Sequence, residues 1–470
     1  MQISDAKKQY KMLLSKRLGY LIIFGILLVF IFYGSMFRGF LVDEYEVVHT
    51  AWKIAQGEKI YIDFFQHHHP FLYYSLVPII LITGDDVIIL MIARMIMFIL
   101  LVGVAVSTYC IAKSVYKKKE IALLSTTFLL STLPIINRAI EIRPDTPQVL
   151  FGLLSVLFFL LYSKYKQKNN YLIISALALN FSFLFSPKTI FLIILLAGIS
   201  SYYLWKKRIL LLSFLVYWFF FALPLCIYYF YLFLNDGLGV YVIMNWIINM
   251  KWLSHFLPTS WFLFFIIVNS SQFFLYLAGL IYYRSKFHFH NIIVILSLGL
   301  LTSIWLYRYP CPQYFLMAMP FVMMISANVL FRIKENNITM YYLLLFLAIT
   351  PPLALHYQYD LKHTNDKQLF KTAFVTAYTE PDDYVYDGFS FKSFNLFRKD
   401  IDYFWYNTAP GGGLDTYQTI KDYEYNVYDS IDRFKPQIIS SYLIKNMDNP
   451  VITKSYKPSG VYEDLYIKID

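Results

Sequence analysis

Charge is scarce in this chain: Asp, Glu, Lys and Arg make up 15% of its 470 residues, against 58% hydrophobic residues. Soluble domains carry roughly a quarter charged residues, and a single soluble core stops growing near about 250–300 residues. No water-soluble fold of this size would bury 43 Phe and 42 Tyr, and the same composition excludes a disordered chain. Cysteine is scarcer still. Cys110, Cys226 and Cys311 stand apart, so neither a disulfide framework nor a paired-cysteine zinc site can be built from them. Basic stripes on a soluble face are also missing, which argues against nucleic acid despite a net charge of +11. What remains is a polytopic membrane protein.

Eleven apolar runs are the expected spans, at about 18–37, 87–112, 121–137, 147–163, 171–186, 189–205, 209–233, 261–283, 291–306, 315–331 and 338–355. A bilayer core of about 30 Å takes about 20 helical residues, so the shorter runs leave the count open by one. The first run follows five cations (Lys7, Lys8, Lys11, Lys16, Arg17) and is too long for a signal peptide, which predicts a retained span. Lys/Arg clusters alternate along the chain and put 19 basic residues of the first 355 on one side and nine on the other. The excess of cations in short loops marks the cytoplasmic side, so the N-terminus is expected inside and the C-terminus outside, in a cell membrane. Ten of the 13 acids in the same stretch then fall in outer loops, seven of them between residues 39 and 86. Since only cations set the orientation, this clustering is independent. The outer face is where chemistry is expected.

Two outer regions stand out. The loop 39–86 runs from an amphipathic stretch at Asp43–Gln56, through His67-His68-His69-Pro70, to an apolar run Phe71–Thr83 that is too short to span and fits an interfacial or re-entrant helix. From residue 356 the composition turns polar and acidic. Strands are expected at Tyr384–Phe391, Asp402–Tyr406, Gln437–Leu443 and near Gly460–Ile469, with a helix at Thr416–Phe434. The predicted organisation is a transmembrane module over 1–355 and a small α/β extracytoplasmic domain over 356–470.

The candidate site residues lie in these outer loops. Asp43-Glu44 sits just past the first span, where a partly desolvated carboxylate can accept a proton; a solvated loop acid is the plainer reading. Between the third and fourth spans, Asn137–Pro147 packs two Arg and two acids into the eight residues 138–145. Asp145 there reads as a helix N-cap before Pro147 or as a site acid. Arg143 could clamp a phosphate, orient an acid or simply pair with one. Lys188, Arg308 and Tyr314, with His68 and His69, are candidate contacts for a lipid head group, although cations at helix ends also snorkel. Three consecutive histidines rarely converge on one ion, so a metal is not indicated.

Asp43-Glu44 after the first span, the loop ending His69-Pro70-Phe71-Leu72-Tyr73-Tyr74, and Arg143-Pro144-Asp145 resemble the polyprenyl-phosphate-sugar-dependent glycosyltransferases of the GT-C superfamily, nearest the protein O-mannosyltransferase and bacterial aminoarabinose transferase group (glycosyltransferase families 39 and 83). The resemblance covers roughly the first 200 residues by motif and the whole chain by layout. It implies a membrane enzyme that moves a sugar from a polyprenyl-phosphate-linked donor to a hydroxyl of a protein, lipid or glycan acceptor on the outer face, with inversion at the sugar carbon. It implies Asp43 as general base, Glu44 and Asp145 beside it in the catalytic set, and cations on the departing phosphate. No cofactor is implied. One departure is that the aminoarabinose transferases carry Glu-Lys-Pro-Pro where this chain has His68-His69-Pro70-Phe71. Two other readings stay open on sequence. A transporter or lipid flippase would place its ionisable residues near the midplane, whereas these spans are nearly free of charge, Arg94 being the main exception. A glycan polymerase or ligase would use a pyrophosphate-linked oligosaccharide as donor.

Overall fold

The computed structural model describes residues 2–165, 168–252, 259–284, 292–306, 311–359, 362–388, 394–405, 412–441, 444 and 446–469. Ten helices cover the first half: α1 (Gln2–Phe37), α2 (Val42–Ala55), α3 (Phe71–Thr83), α4 (Ile88–Tyr116), α5 (Lys119–Leu130), α6 (Leu133–Arg138), α7 (Asp145–Lys164), α8 (Asn169–Phe185), α9 (Ile190–Trp205) and α10 (Leu211–Leu234). A short segment follows, α11 (Leu238–Val242), a π-helical turn (Ile243–Ile248) and α12 (Asn249–Lys251). Then come α13 (Thr259–Val268), α14 (Ser270–Arg284), α15 (Ile292–Ile304), α16 (Met319–Asn336) and α17 (Ile338–Tyr359).

By length and composition, five helical segments among the described residues could cross a membrane: Ile88–Tyr116, Asp145–Lys164, Pro187–Trp205, Leu211–Leu234 and Ile338–Gln358. Others of the eleven expected runs are shorter or broken, for identifiable reasons. The run at 121–137 stops at Leu130, where Ser131 and Thr132 turn their hydroxyls onto the carbonyls of Phe128 and Leu129, and Pro134 has no N–H to carry the ladder through. The run at 261–283 breaks at Asn269, whose Oδ1 accepts the Leu133 N–H at 3.2 Å. The second break thus satisfies a backbone donor of the first. The run at 315–331 starts late, at Met319, after a 3-10 turn over Pro312–Phe315.

The bundle core is one large apolar cluster drawn from α4, α5, α7, α8 and α14–α17, while α10 leaves Phe219, Ile227, Phe230 and Phe233 more than half exposed, the face expected toward lipid. The apolar run of the first outer loop is helix α3, with the predicted bounds.

The polar tail differs in detail from the sequence expectation. It opens with a helix the sequence reading did not assign, α18 (Asp366–Tyr378). The expected helix at 416–434 is two shorter ones, α19 (Gly413–Gln418) and α20 (Val427–Phe434), and α21 (Pro450–Ser455) follows. Residues 402 and 403 bend and 404–405 form no strand, and 389–391, 406 and 442–443 of the expected strands lie outside the described residues. Strands β1 (Val385–Tyr386), β2 (Ile438–Ser440), β3 (Tyr456–Pro458) and β4 (Leu465–Lys468) form a sheet in the order β1-β2-β4-β3. β1 runs parallel to β2, with Val385 opposite Ile438, and β4 is antiparallel to both β2 and β3.

The tail does not stand apart from the first outer loop. Leu396, Phe397, Phe404 and Trp405 share one apolar cluster with Tyr45, Val48, Trp52, Phe64, Phe65 and Tyr73. The join continues in polar contacts. His49 and Lys53 of α2 both meet Asp400, at 2.8 and 2.9 Å, and Arg398 bridges to Asp85 at 2.8 Å.

Candidate functional site

The site starts at the elbow between α1 and α2. There the tail backbone comes so close that only glycine fits comfortably: a Cβ on Gly39 would lie 3.3 Å from Gln368 Oε1 and 3.4 Å from the His363 carbonyl. The Gly39 N–H donates to that carbonyl at 2.7 Å, and Gln368 of α18 both accepts the Phe40 N–H (2.6 Å) and donates to the Phe40 carbonyl (2.8 Å). Beneath the elbow lies Arg94 of α4, fully buried. Its guanidinium donates to both oxygens of Glu44 (2.8 and 2.7 Å) and to the carbonyls of Ser35, Arg38 and Gly39. Glu44 also accepts the N–H groups of Leu41 (2.8 Å) and Ile142 (3.2 Å), which caps α2 and ties it to the loop before α7. Burial works to raise the Glu44 carboxyl, but the charge and hydrogen bonds of Arg94 outweigh it and hold Glu44 below its usual range. Glu44, read from sequence as part of the catalytic set, therefore faces inward and is closed on Arg94.

Asp43 faces the other way. Successive helix residues turn by about 100°, and Asp43 keeps 40% of its side chain exposed while touching Arg143. Arg143 reaches on to Asp145 at 3.2 Å, and Asp145 accepts from Lys188 at 2.6 Å. Lys188 lies over the Tyr314 ring, 4.2 Å from its centroid, a favourable cation–π placement. Asp43, Arg143, Asp145, Lys188 and Tyr314 thus form one row. Of the two sequence readings of Asp145, helix cap or site acid, the cap is not formed. Pro144 holds the cap position, no side-chain cap bond forms, and the carboxylate goes to the two cations instead.

The row is pinned from behind. Lys188 sits on the 3-10 turn Pro187–Thr189 between α8 and α9. Thr189 donates to the Ser182 carbonyl (2.9 Å), Gln148 donates to Thr189 (3.1 Å), and Ser182 donates to the Gln148 carbonyl (2.8 Å). That knot locks the turn of Lys188 to α7, which carries Asp145. Glu141 binds Arg38 at 3.0 Å and Arg138 at 2.9 Å, fixing the loop before α7 to the end of α1. Next to Lys188 a cavity opens, lined by Gln148, Ser303, Gln313 and Tyr314 on its polar side and by Leu300 and Met317 on its apolar side.

The histidines divide. His69 is buried, with Nδ1 on the Phe183 carbonyl (2.7 Å) and Nε2 on the Tyr241 hydroxyl (3.0 Å). A carbonyl can only accept, so Nδ1 carries the proton and Nε2 accepts from Tyr241. Its ring is therefore closed, which corrects the expectation that His69 contacts a head group. Burial pushes it down to about 4. His68 lies within electrostatic reach of Lys188; burial first, then that cation, brings it to about 3, so its imidazole is neutral. His67 lies tilted against Trp252, just past α12, with centroids 5.0 Å apart. Arg308 lies outside the described residues. Among the described residues no three His, Cys, Asp or Glu side chains gather as a metal-ligand set.

The sequence reading missed the role of Arg94, noted only as a rare charge within a span, and missed Glu46, Gln66 and Gln148. Part of the signal for Arg94 was present: a lone cation in an apolar helix needs a carboxylate partner, but Asp43, Glu44, Asp85 and Asp86 all lie near span ends and the sequence does not choose among them.

Part of the chain and its fold are similar to known proteins. Residues 67–231 match the family model for dolichyl-phosphate-mannose-protein mannosyltransferase. The matched stretch includes the histidines, Arg143, Asp145 and Lys188, and begins after Asp43. Among solved structures, ArnT from Cupriavidus metallidurans bound to undecaprenyl phosphate aligns with a TM-score of 0.54 at 13% identity, over 69% of this chain and 62% of that one. The archaeal oligosaccharyltransferase AglB from Archaeoglobus fulgidus, in complex with an inhibitory peptide and a dolichol-phosphate, aligns at 0.51 and 12% identity, over 77% of this chain and 58% of that one. The chain thus spans about three-fifths of the length of these structures. No curated protein matches its sequence. The resemblance to the GT-C superfamily of glycosyltransferases, drawn above from Asp43-Glu44, His69-Pro70 and Arg143-Pro144-Asp145, holds in the family match and in the fold.

Proposed function

We propose that the chain is a membrane glycosyltransferase that moves a sugar from a polyprenyl-phosphate-linked donor to a hydroxyl of a protein, lipid or glycan acceptor at the outer face of the membrane. The observation that carries the reading is the row itself. A half-exposed carboxylate, Asp43, stands at one end, and a cation beside a part-polar, part-apolar cavity, Lys188, stands at the other. A reaction with a phosphate leaving group needs a base on one side and positive charge on the other. In the proposed step the acceptor O–H gives its proton to Asp43 as its oxygen attacks the sugar carbon. The bond from that carbon to the phosphate oxygen breaks, and the polyprenyl phosphate leaves with its charge on Lys188 and Arg143. Attack from the face opposite the phosphate inverts the sugar carbon. Asp145 holds both cations in place, while Glu44 and Arg94 hold the helix that bears the base.

The remaining expectations belong to the same reading: about eleven spans over 1–355, a cytoplasmic N-terminus, a tail over 356–470 on the outer side, and a cell-membrane location. The resemblance to ArnT bound to undecaprenyl phosphate and to AglB with dolichol-phosphate supports the donor class. The test uses the full chain in proteoliposomes with polyprenyl-phosphate-linked sugars. Asp43→Asn is expected to lower transfer by a factor of about 10²–10⁴, the usual worth of a general base, with insertion and unfolding temperature unchanged. Near-normal transfer by this variant would remove Asp43 from the role of base.

A further inference from the structure

We propose that Glu46 is a positioning residue that, acting through Gln66, holds the His67–His68 backbone beside Lys188; the proposal rests on the function above only in taking Lys188 as the phosphate contact. Glu46 lies three residues after Asp43 on α2 and is buried. Its Oε1 accepts from three donors: Gln66 Nε2, the Tyr73 hydroxyl at 2.9 Å and the Thr50 hydroxyl at 3.5 Å. None of the three carries a charge. The other acids at this end of α2 are matched with cations, Asp43 with Arg143 and Glu44 with Arg94. Glu46 is therefore built into its place by neutral donors, and the function proposed above does not use it.

Gln66 shows what the arrangement accomplishes. Its Oε1 accepts the backbone N–H groups of His67 (2.8 Å) and His68 (3.1 Å). Its Nε2 donates to Glu46 and also to Thr50 at 3.0 Å. A flipped amide would set NH2 against two N–H groups and oxygen against oxygen, so only one orientation satisfies every partner. The acceptor oxygen of Glu46 selects that orientation. Through it the helix bearing Asp43 is tied to the backbone of His67 and His68, whose imidazoles lie near enough to Lys188 for its charge to act on them. One carboxyl thus sets the spacing between the base side and the cation side of the row.

The setting also makes the link sensitive to protonation. Burial among neutral donors raises the Glu46 carboxyl to about 7. The charged groups that the neighbouring elements bring to α2 are occupied elsewhere: Arg94 of α4 with Glu44, Asp400 of the tail with His49 and Lys53, Arg143 with Asp43, and Arg398 with Asp85. Tyr73 of α3 is the titratable group that faces Glu46 directly. Below about 7 the neutral acid keeps Oε1 as acceptor. Above it, the ionised carboxylate accepts the same hydrogen bonds from Gln66, Tyr73 and Thr50 more strongly.

The test uses the full chain in detergent or nanodiscs and two variants. Glu46→Gln keeps an acceptor oxygen and removes the titration; Glu46→Ala removes the acceptor. Hydrogen exchange of the peptide covering His67–His69 should match wild type in Glu46→Gln at pH 6 and be at least about tenfold faster in Glu46→Ala. As pH rises from 6 to 8.5, wild type should gain protection relative to Glu46→Gln at the same pH, because the ionised carboxylate is the stronger acceptor, a comparison that stands even where the alanine variant fails to fold. Undecaprenyl monophosphate should bind Glu46→Ala several-fold more weakly than it binds wild type or Glu46→Gln at pH 6. Superimposed pH series for wild type and Glu46→Gln, or unchanged exchange in Glu46→Ala, overturns the proposal. If no form binds the lipid, wild type included, the phosphate reading falls, and the exchange data alone decide the positioning role.

Discussion

Two knots of charge share the start of α2, and they are built to opposite plans. The Glu44–Arg94 knot is sealed. Both residues are fully buried, Arg94 donates to five oxygens, and the Phe40 ring covers its guanidinium at 3.9 Å. The Asp43–Arg143–Asp145–Lys188 knot is sealed at Asp145, 1% exposed, and open at Asp43, 40% exposed. Neighbouring residues of one helix face different directions, so two adjacent acids serve two ends: one fastens the helix to the bundle and the other is left open to solvent. A carboxylate that must accept a proton from a substrate needs both the scaffold and the opening.

The comparison breaks most visibly at the sealed knot. Replacing Arg94 by Leu leaves Glu44 buried without its cation, at a cost of about 3–5 kcal/mol. Loss of folded protein in size-exclusion chromatography and a lowered unfolding temperature are the expected readouts. Asp43→Asn at the open knot should do the reverse, abolishing transfer while leaving the unfolding temperature alone. A large stability loss for Asp43→Asn, or none for Arg94→Leu, would erase the distinction. Lys188→Met comes next. A charge-assisted hydrogen bond is worth about 1.5–3 kcal/mol, so binding of polyprenyl monophosphate, measured by a binding titration in detergent, should weaken about tenfold to hundredfold.

The sealed and open knots were not equally legible in the sequence. Hydropathy and the Lys/Arg pattern reveal the helices because bilayer and bundle impose a single, repeated demand on each span. Asp43, Arg143, Asp145 and Lys188 were legible for a related reason: where charge is scarce, each charged residue outside the cytoplasmic loops is conspicuous. The partners were not. Which cation meets which acid depends on long-range packing, as with Arg94 reaching Glu44 fifty positions away. Asp145 looked like a cap because it precedes Pro147, but two buried cations compete more strongly for a carboxylate than backbone N–H groups do. The tail was least legible. Its strands are two to four residues long, shorter than any period-two pattern can mark, and α18 is held through Asn365 and Gln368, whose partners are backbone atoms of the α1–α2 elbow.

The tail also supplies the smallest and most specific break. Asp400 accepts from His49 at 2.8 Å and from Lys53 at 2.9 Å, joining the tail to the helix that carries both knots. Burial works to raise its carboxyl, but the charges of His49 and Lys53 outweigh it and hold Asp400 below the usual carboxylate range. A carboxyl whose folded value is depressed binds its proton more readily when unfolded, so its stabilisation is present above about pH 4 and is lost as pH falls through the folded value. Asp400→Asn should therefore destabilise the protein at neutral pH by about 1.5–3 kcal/mol, and the gap from wild type should close as the pH drops below 4. Thermal unfolding of both proteins across pH 3–7 reads this directly. A gap that persists unchanged at the acid end would mean that Asp400 acts by shape rather than by charge, and that the tail is joined to α2 mainly through the apolar contacts of Leu396, Phe404 and Trp405.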